Sequence, residues 1–327
     1  MTKLTFGQPL GFLGHGDDFN GMIRSQKGIF RYISVTNNWP ILDSLLKKNP
    51  LLKLLGKKPN MFFNFAWRHV EDRTAKADAE SADAKDTSKA HPDLLSSYIA
   101  ARKSYPNIMT DLRLTHYCQT NVVAGANNSA LAMDQTIAFL ARHPEAQERL
   151  HEEILTTQAD DGTKNAANDA GGPPALDLAL KMRYLEAIIQ ESYRLFGSPS
   201  NNLERVVSPR GLTLPNGMTL PPGAVAAVNG PSLMHRADIY GENVNEFDPE
   251  RWLRGKAETE EAFKMRRLKM DRALLAFGAG SRVCIGRNLV QLELLKIWPV
   301  LIKNYKFQPV GEVKLHEVLV KVTRRVA

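Results

Sequence analysis

The chain has 327 residues, 43% of them apolar and 24% charged, which suits one large or two medium globular domains. It holds no apolar run of about 18 residues, so no membrane-spanning helix is expected, and its start, MTKLTFGQPLGFLGHGDD, lacks the basic and apolar regions of a secretory signal. Lysine and arginine number 43 against 35 for aspartate and glutamate, and because no recognition motif accompanies this modest excess, nucleic acid is not expected as a partner.

Leucines, lysines and aromatics at helical spacing over residues 41 to 70 predict short helices separated by Pro40, Pro50 and Pro59. Glu71 to Ala90 is charged and nearly free of large apolar residues, and is expected to form helix ends joined by a mobile loop. An apolar helical period runs from Asp111 to Arg142 and stops before His143-Pro144. At 1.5 Å per residue that helix would be about 48 Å long. A second helix is predicted over Pro144 to Leu155, a polar loop over Thr156 to Pro174, and a third helix over Leu176 to Phe196. Turn signals at Pro215-Asn216-Gly217 and Pro221-Pro222-Gly223 lie between short alternating segments and predict a small sheet. A further helix and a short β-rich tail close the chain, so the expected fold is mainly α with a minor β part.

Chemistry concentrates in FGAGSRVCIG, Phe277 to Gly286. Cys284 lies there in a glycine-punctuated loop, two positions after Arg282 and seven after Phe277. A thiolate that binds iron needs such a setting. Gly280 and Gly286 are expected to take positive φ and let the backbone approach a flat ligand. Backbone N–H groups of the loop can stabilise the sulfur anion, Arg282 can hold an anionic substituent, and Phe277 can wall the ligand face. The same run also reads as a glycine-rich turn with a buried structural cysteine. Cys118 is the other cysteine; if Cys284 holds iron, no disulfide is possible, which fits a reducing compartment.

The pattern F-x-x-G-x-R-x-C-x-G resembles the haem-binding signature of the cytochrome P450 superfamily, with Glu293 following as in the family and Val290 in place of its usual alanine. The resemblance implies Cys284 as axial ligand to the iron of haem b, Arg282 on a haem propionate, and Phe277, Gly278 and Gly286 in the cofactor-binding loop. MRYLEAIIQESYRLF resembles the family's K helix, and Pro249-Glu250-Arg251-Trp252 its later P-E-R-F/W segment. Together these imply a buried charge triad of Glu191, Arg194 and Arg251. Arg205 falls where members place a second propionate-binding arginine. His235 and Arg236 match a structural segment, and His116 and Cys118 read as core or near-core residues.

Ala124-Gly125-Ala126-Asn127-Asn128-Ser129 falls where the family places A/G-G-x-D/E-T-T/S. Ala124 and Gly125 would leave room for dioxygen. The acid–alcohol pair becomes Asn127 and Asn128, which cannot relay a proton as a carboxylate and a hydroxyl do. Ser129 lies about 100° further round the helix. These four residues, Ala124, Gly125, Asn127 and Asn128, are the catalytic candidates, and leaky coupling with release of peroxide is expected. The segment from Ser198 to Leu203 would line the same pocket.

The resemblance implies a haem-dependent monooxygenase that inserts one oxygen atom from O2 into a small apolar organic substrate, with electrons from NADPH through a reductase. It also implies the C-terminal portion of the P450 fold over 1–327, truncated at the N-terminus and lacking the anchor and first helices, with the tail from Lys306 to Ala327 shortened. The basic cluster Lys264, Arg266, Arg267, Lys269 and Arg272 reads from its residues as a solvated helix face, and the resemblance implies instead a rim on the thiolate side that steers an acidic electron donor. Full-length members imply an endoplasmic reticulum location, and the texture resembles fungal secondary-metabolism enzymes. A reductase-independent isomerase or dehydratase of the same fold, or a non-catalytic haem-binding remnant, stands as the alternative.

Overall fold

The computed structural model describes residues 1–18, 21–46, 48–49, 61–80, 93–160, 172–196, 203–311 and 319–325. Two compact units divide the chain, Met1–Ser129 and Ala130–Ala327. The first contains α1 (Thr2–Phe6), α2 (Phe12–His15), α3 (Met22–Asn38), α4 (Pro40–Leu46), α5 (Met61–Glu80), α6 (Leu94–Ser104) and the first half of α7 (Asp111–Arg142). Apolar residues four apart make its core: Phe62, Ala66 and Val70 on α5 meet Leu114, Cys118 and Val122 on α7. Asp93 caps α6 by accepting the Ser96 N–H at 2.8 Å and holds Arg73 at 3.0 Å.

The rest of α7 enters the second unit, followed by α8 (Pro144–Asp160), α9 (Leu176–Ala179) and α10 (Arg183–Phe196). Then come β1 (Leu203–Val206), β2 (Leu212–Thr213), β3 (Thr219–Leu220), β4 (Val225–Val228), α11 (Gly230–Met234), α12 (Ala237–Tyr240), α13 (Glu260–Ala273), α14 (Arg287–Asn304), β5 (Tyr305–Pro309) and β6 (Val320–Arg324). β1 pairs antiparallel with β4, placing Arg205 opposite Ala226, while β2 pairs with β3 and β5 with β6. Gly217 and Gly223 turn the small sheets at positive φ, 85° and 78°. The core joins Leu140, Leu150 and Ile154 to Leu185 and Ile188 of α10 and to Leu294, Trp298 and Ile302 of α14. The molecule is mainly helical with small antiparallel sheets, as the pattern predicts. Among the described residues no helix is long and apolar enough to cross a membrane.

Several boundaries differ from the sequence pattern. The expected helix over Leu176 to Phe196 is two helices, because the Glu153 carboxylate of α8 accepts the N–H groups of Tyr184 and Leu185 at 2.7 and 2.9 Å and so starts a new helix at Arg183. α8 continues five residues past Leu155, with the Thr156 hydroxyl bonded to the Glu152 carbonyl at 2.8 Å. α5 runs unbroken through residues 71 to 80, where helix ends and a loop were expected, and Pro50, Pro59 and 81–90 lie outside the described residues. His116 is exposed, since two positions along a helix separate it from buried Cys118 by about 200°. The tail forms the β5–β6 hairpin, tied to α8 by Gln147, whose side chain bonds both the N–H and the carbonyl of Phe307 at 2.8 and 3.0 Å.

Candidate functional site

The cysteine loop is built from two single 3-10 turns, Leu275–Phe277 and Gly280–Arg282. The Gly278 N–H closes the first on Leu275 O at 2.9 Å, and the Val283 N–H closes the second on Gly280 O at 3.1 Å. Between them Gly278 adopts φ 68° and ψ −165°, a region that residues with a Cβ essentially never enter, and Gly280 takes φ 67°. The Cys284 N–H then reaches back to Phe277 O at 2.9 Å, pinning the cysteine against the start of the motif. The expectation of positive φ at Gly286 is not met: its φ is −82° as the N-cap of α14, where Val290 N–H bonds its carbonyl, and Gly278 takes the strained position instead.

Cys284 is free and exposed, which sets aside the reading of a buried structural cysteine. Its neighbours Val283 and Ile285 are exposed too, Ile285 fully so at 103%. Phe277 is half-buried, its ring edge-on to Tyr193 at 5.0 Å and under the Arg287 guanidinium at 5.9 Å. Arg282 is exposed. Arg205 is exposed on β1 and spends one N–H on the neighbouring Glu204 carbonyl at 2.7 Å.

Behind this loop the charge triad is present and buried. Arg194 meets Glu191 through two parallel bonds of 2.8 and 2.7 Å, and Arg251 Nε donates to the same carboxylate at 2.9 Å. Both Glu191 and Arg194 are fully buried. Their remaining capacity is used by backbone: Arg194 donates to the carbonyls of Met234, Val244 and Glu246, and Arg251 to those of Tyr240 and Asn243. Trp252, which sequence reasoning did not assign, donates its indole N–H to Glu191 at 2.8 Å. The aromatic last place of the P-E-R-W run was the available signal for it.

Two arginines of the basic cluster are engaged by neighbouring groups. Arg266 is held by Glu258 at 2.7 Å and by the carbonyls of Arg251 and Leu253, and Arg267 by Glu186 at 2.8 Å and Asp271 at 3.0 Å. Lys269 donates to the Asp238 carbonyl. Arg266 and Arg267 fasten α13 onto the segment that carries the triad, while Lys264, Lys269 and Arg272 are exposed.

The other group of sequence candidates lies on α7 in the first unit. A Cβ on Gly125 would fall 2.8 Å from the Met1 sulfur and 2.7 Å from its Cε, so the space expected to stay open there is filled by the Met1 side chain. The Asn128 amide donates to Ala124 O at 3.0 Å, back along its own helix. Ala124 and Asn128 are exposed, and Asn127 and Ser129 half-buried. Residues 198–202 of the expected pocket lining lie outside the described residues.

The profile of the cytochrome P450 family matches residues 1–324. The chain belongs to the cytochrome P450 family. The monooxygenase cfoH of Aspergillus candidus is 32% identical over 319 residues, covering 97% of this chain and 56% of cfoH. A P450 monooxygenase of Aspergillus terreus is 30% identical over 312 residues, 93% of this chain and 58% of its own length. The monooxygenase vrtE of Penicillium aethiopicum is 29% identical over 306 residues, 91% of this chain and 56% of vrtE. This P450 chain therefore spans somewhat over half the length of these curated relatives.

Membership implies haem, and the cysteine loop suits it. A sulfur presented to the outside by a self-bonded loop is a ligand without a competing protein partner. Gly278 and Gly280, both at positive φ, let the loop take a backbone path that a residue with a Cβ would strain. The bare aliphatic side chains of Val283 and Ile285 flank that sulfur, and a flat apolar ring would cover such surface favourably. The two exposed guanidiniums supply forks suited to carboxylates.

Proposed function

We propose that this P450 chain is a haem-dependent monooxygenase that inserts one atom of O2 into a C–H bond of a small apolar substrate, with electrons from NADPH delivered by a reductase-type partner. The observation that carries the reading is the exposed Cys284 sulfur in a loop whose glycine conformations and N–H to Phe277 O bond fix it in place. Haem, when bound, would supply reductive oxygen activation, and the Cys284 thiolate would assist by donating electron density to the iron. Cys284 would hold the iron, Arg282 and Arg205 would hold the propionates, and Phe277, Gly278 and Gly286 would border the bound group. Glu191, Arg194 and Arg251 do no chemistry; they lock the segment behind the loop.

Proton supply is this chain's weak point. Neither Asn127 nor Asn128 carries a transferable proton, and the Asn128 amide is engaged with Ala124 O. Much of the NADPH consumed should therefore appear as hydrogen peroxide. The same observation favours a second reading, a reductase-independent isomerase or dehydratase, which needs no such relay. Product formed from substrate without NADPH would select it.

The deciding measurement is the ferrous carbon-monoxide spectrum of the haem-loaded chain beside Cys284→Ser. The parent should give the red-shifted band of a thiolate ligand and the variant should lose it. A variant with the parent's cofactor content and spectrum would refute the assignment.

A further inference from the structure

Where α10 passes α14, the two helices leave a cleft of about 130 Å³ in the second unit. Ile189 and Gln190 lie three and four positions after Glu186, so one face of α10 makes the first wall. Gln291 and Leu295, four apart on α14, make the second. The floor is apolar: Met182 and Ile189 are buried in the core that joins α10 to α14. The walls differ from it. Gln190 and Gln291 are half-buried and line the cleft from the two helices, and among the described residues neither amide has a hydrogen-bond partner. Glu186 on the same wall is spent, its two oxygens held by Arg267 at 2.8 Å and by Arg183 at 3.4 Å.

These features narrow the ligand. A core cavity of about 150 Å³ takes one benzene, so the cleft has room for a single six-membered ring. Each glutamine amide offers donors and an acceptor together, and a group that does the same, a carboxamide, answers both. An anion finds no free cation on these walls, and a cation must displace arginines already bonded to Glu186. We propose that this cleft is a second small-molecule site, for a neutral monocyclic aromatic carboxamide whose ring lies on Met182 and Ile189 and whose amide bonds to Gln190 and Gln291. Such binding uses no group of the cysteine loop, so the site stands or falls apart from the haem reading.

The test titrates benzamide, toluene and benzoate into the haem-loaded chain with its methionine methyl groups labelled for NMR. Met182 reports from the floor, and Met218, exposed between β2 and β3, is the reference. Benzamide should move the Met182 signal, assigned by its loss in Met182→Leu, with a dissociation constant on the order of 1 mM. The Met218 signal and the visible spectrum should stay unchanged. Toluene and benzoate should bind at least about five-fold more weakly, the effect of one lost hydrogen bond. Gln190→Leu and Gln291→Leu, which keep helix propensity, should each weaken benzamide roughly five-fold and leave toluene no weaker. A Met182 signal that benzamide does not move overturns the proposal, and so does toluene binding as tightly as benzamide. A benzamide affinity that neither leucine variant lowers overturns it as well. A shifted visible band with Met182 silent puts benzamide at the haem and has the same force. Should a leucine variant fail to fold, benzamide against toluene on the parent decides alone.

Discussion

The Glu191 triad and the Cys284 loop are supported by the same short helix, yet they are built on opposite rules. Around Glu191 every polar capacity is used: two arginines, an indole and the backbone N–H of Asp248 converge on one carboxylate, and five backbone carbonyls take the remaining guanidinium protons. Around Cys284 the backbone is bonded and the side chain is not, so the sulfur and two aliphatic neighbours face outward. The contrast assigns the roles. A desolvated ionic cluster is tolerable only when complete, which makes it rigid, whereas a ligand must be held by its main chain so that its reactive atom stays available.

The harshest way to break the comparison is Glu191→Ala. It leaves Arg194 and Arg251 as uncompensated buried cations and should destabilise the chain by about 3–5 kcal/mol, read as a fall in the urea midpoint at constant slope. Apolar replacement of the whole triad will not rescue it here. The arginines also satisfy the carbonyls of Met234, Val244, Tyr240 and Asn243, and those acceptors would be orphaned. A loss below about 1 kcal/mol for Glu191→Ala would mean that the cluster is not the anchor proposed.

A second substitution sharpens the loop side. Gly278→Ala places a Cβ where φ is 68° and ψ −165°, and should cost about 1–3 kcal/mol and reduce haem uptake. Gly286→Ala has an ordinary φ of −82°, and its Cβ would stand 3.8 Å from the Cys284 sulfur in normal contact, so its effect on stability should be the smaller of the two. The reverse order in denaturation and haem titration would contradict the loop geometry.

That pair of glycines also shows where the sequence is legible and where it is not. The motif identifies the loop and its cysteine, because residue types at fixed spacing survive as local information. Which glycine takes the strained conformation depends on the Gly278 N–H closing onto Leu275 and the Cys284 N–H onto Phe277, and spacing does not reveal that closure. The E-x-x-R spacing shows Glu191 and Arg194 on one face, whereas the Trp252 indole arrives from 61 residues away. Arg266 and Arg267 look like a solvated basic stripe until Glu258 and Glu186, eight and 81 residues distant, claim them. The ends of α7 match the apolar period, whose stop before His143-Pro144 is local information, and α10 starts late because Glu153 caps it from another helix. The α7 candidates fared differently again: the small residues are where the pattern put them, but Met1 fills the space at Gly125.

The mildest test sets the buried triad beside its exposed counterpart. Glu148 on α8 also gathers two cations, Arg325 at 2.7 Å and Lys306 at 2.8 Å, and fastens the β5–β6 hairpin. The Arg325 hydrogen bonds, with Lys306 assisting against a smaller opposing effect of burial, hold its carboxyl well below the usual 4.5, at about 2. Because the folded value lies below the unfolded one, this cluster stabilises the fold above about pH 4.5, and the contribution fades as the pH falls toward about 2. The Glu148 side chain is 39% exposed, so solvent screening leaves at most about 1 kcal/mol of what the shift alone would suggest. Glu148→Gln should therefore lower the urea midpoint slightly near neutral pH, and the gap from the parent should close as the pH approaches about 2. A gap as wide as that of Glu191→Ala would show that burial is not what separates these two clusters, since both have one carboxylate and two cations and differ chiefly in their access to water.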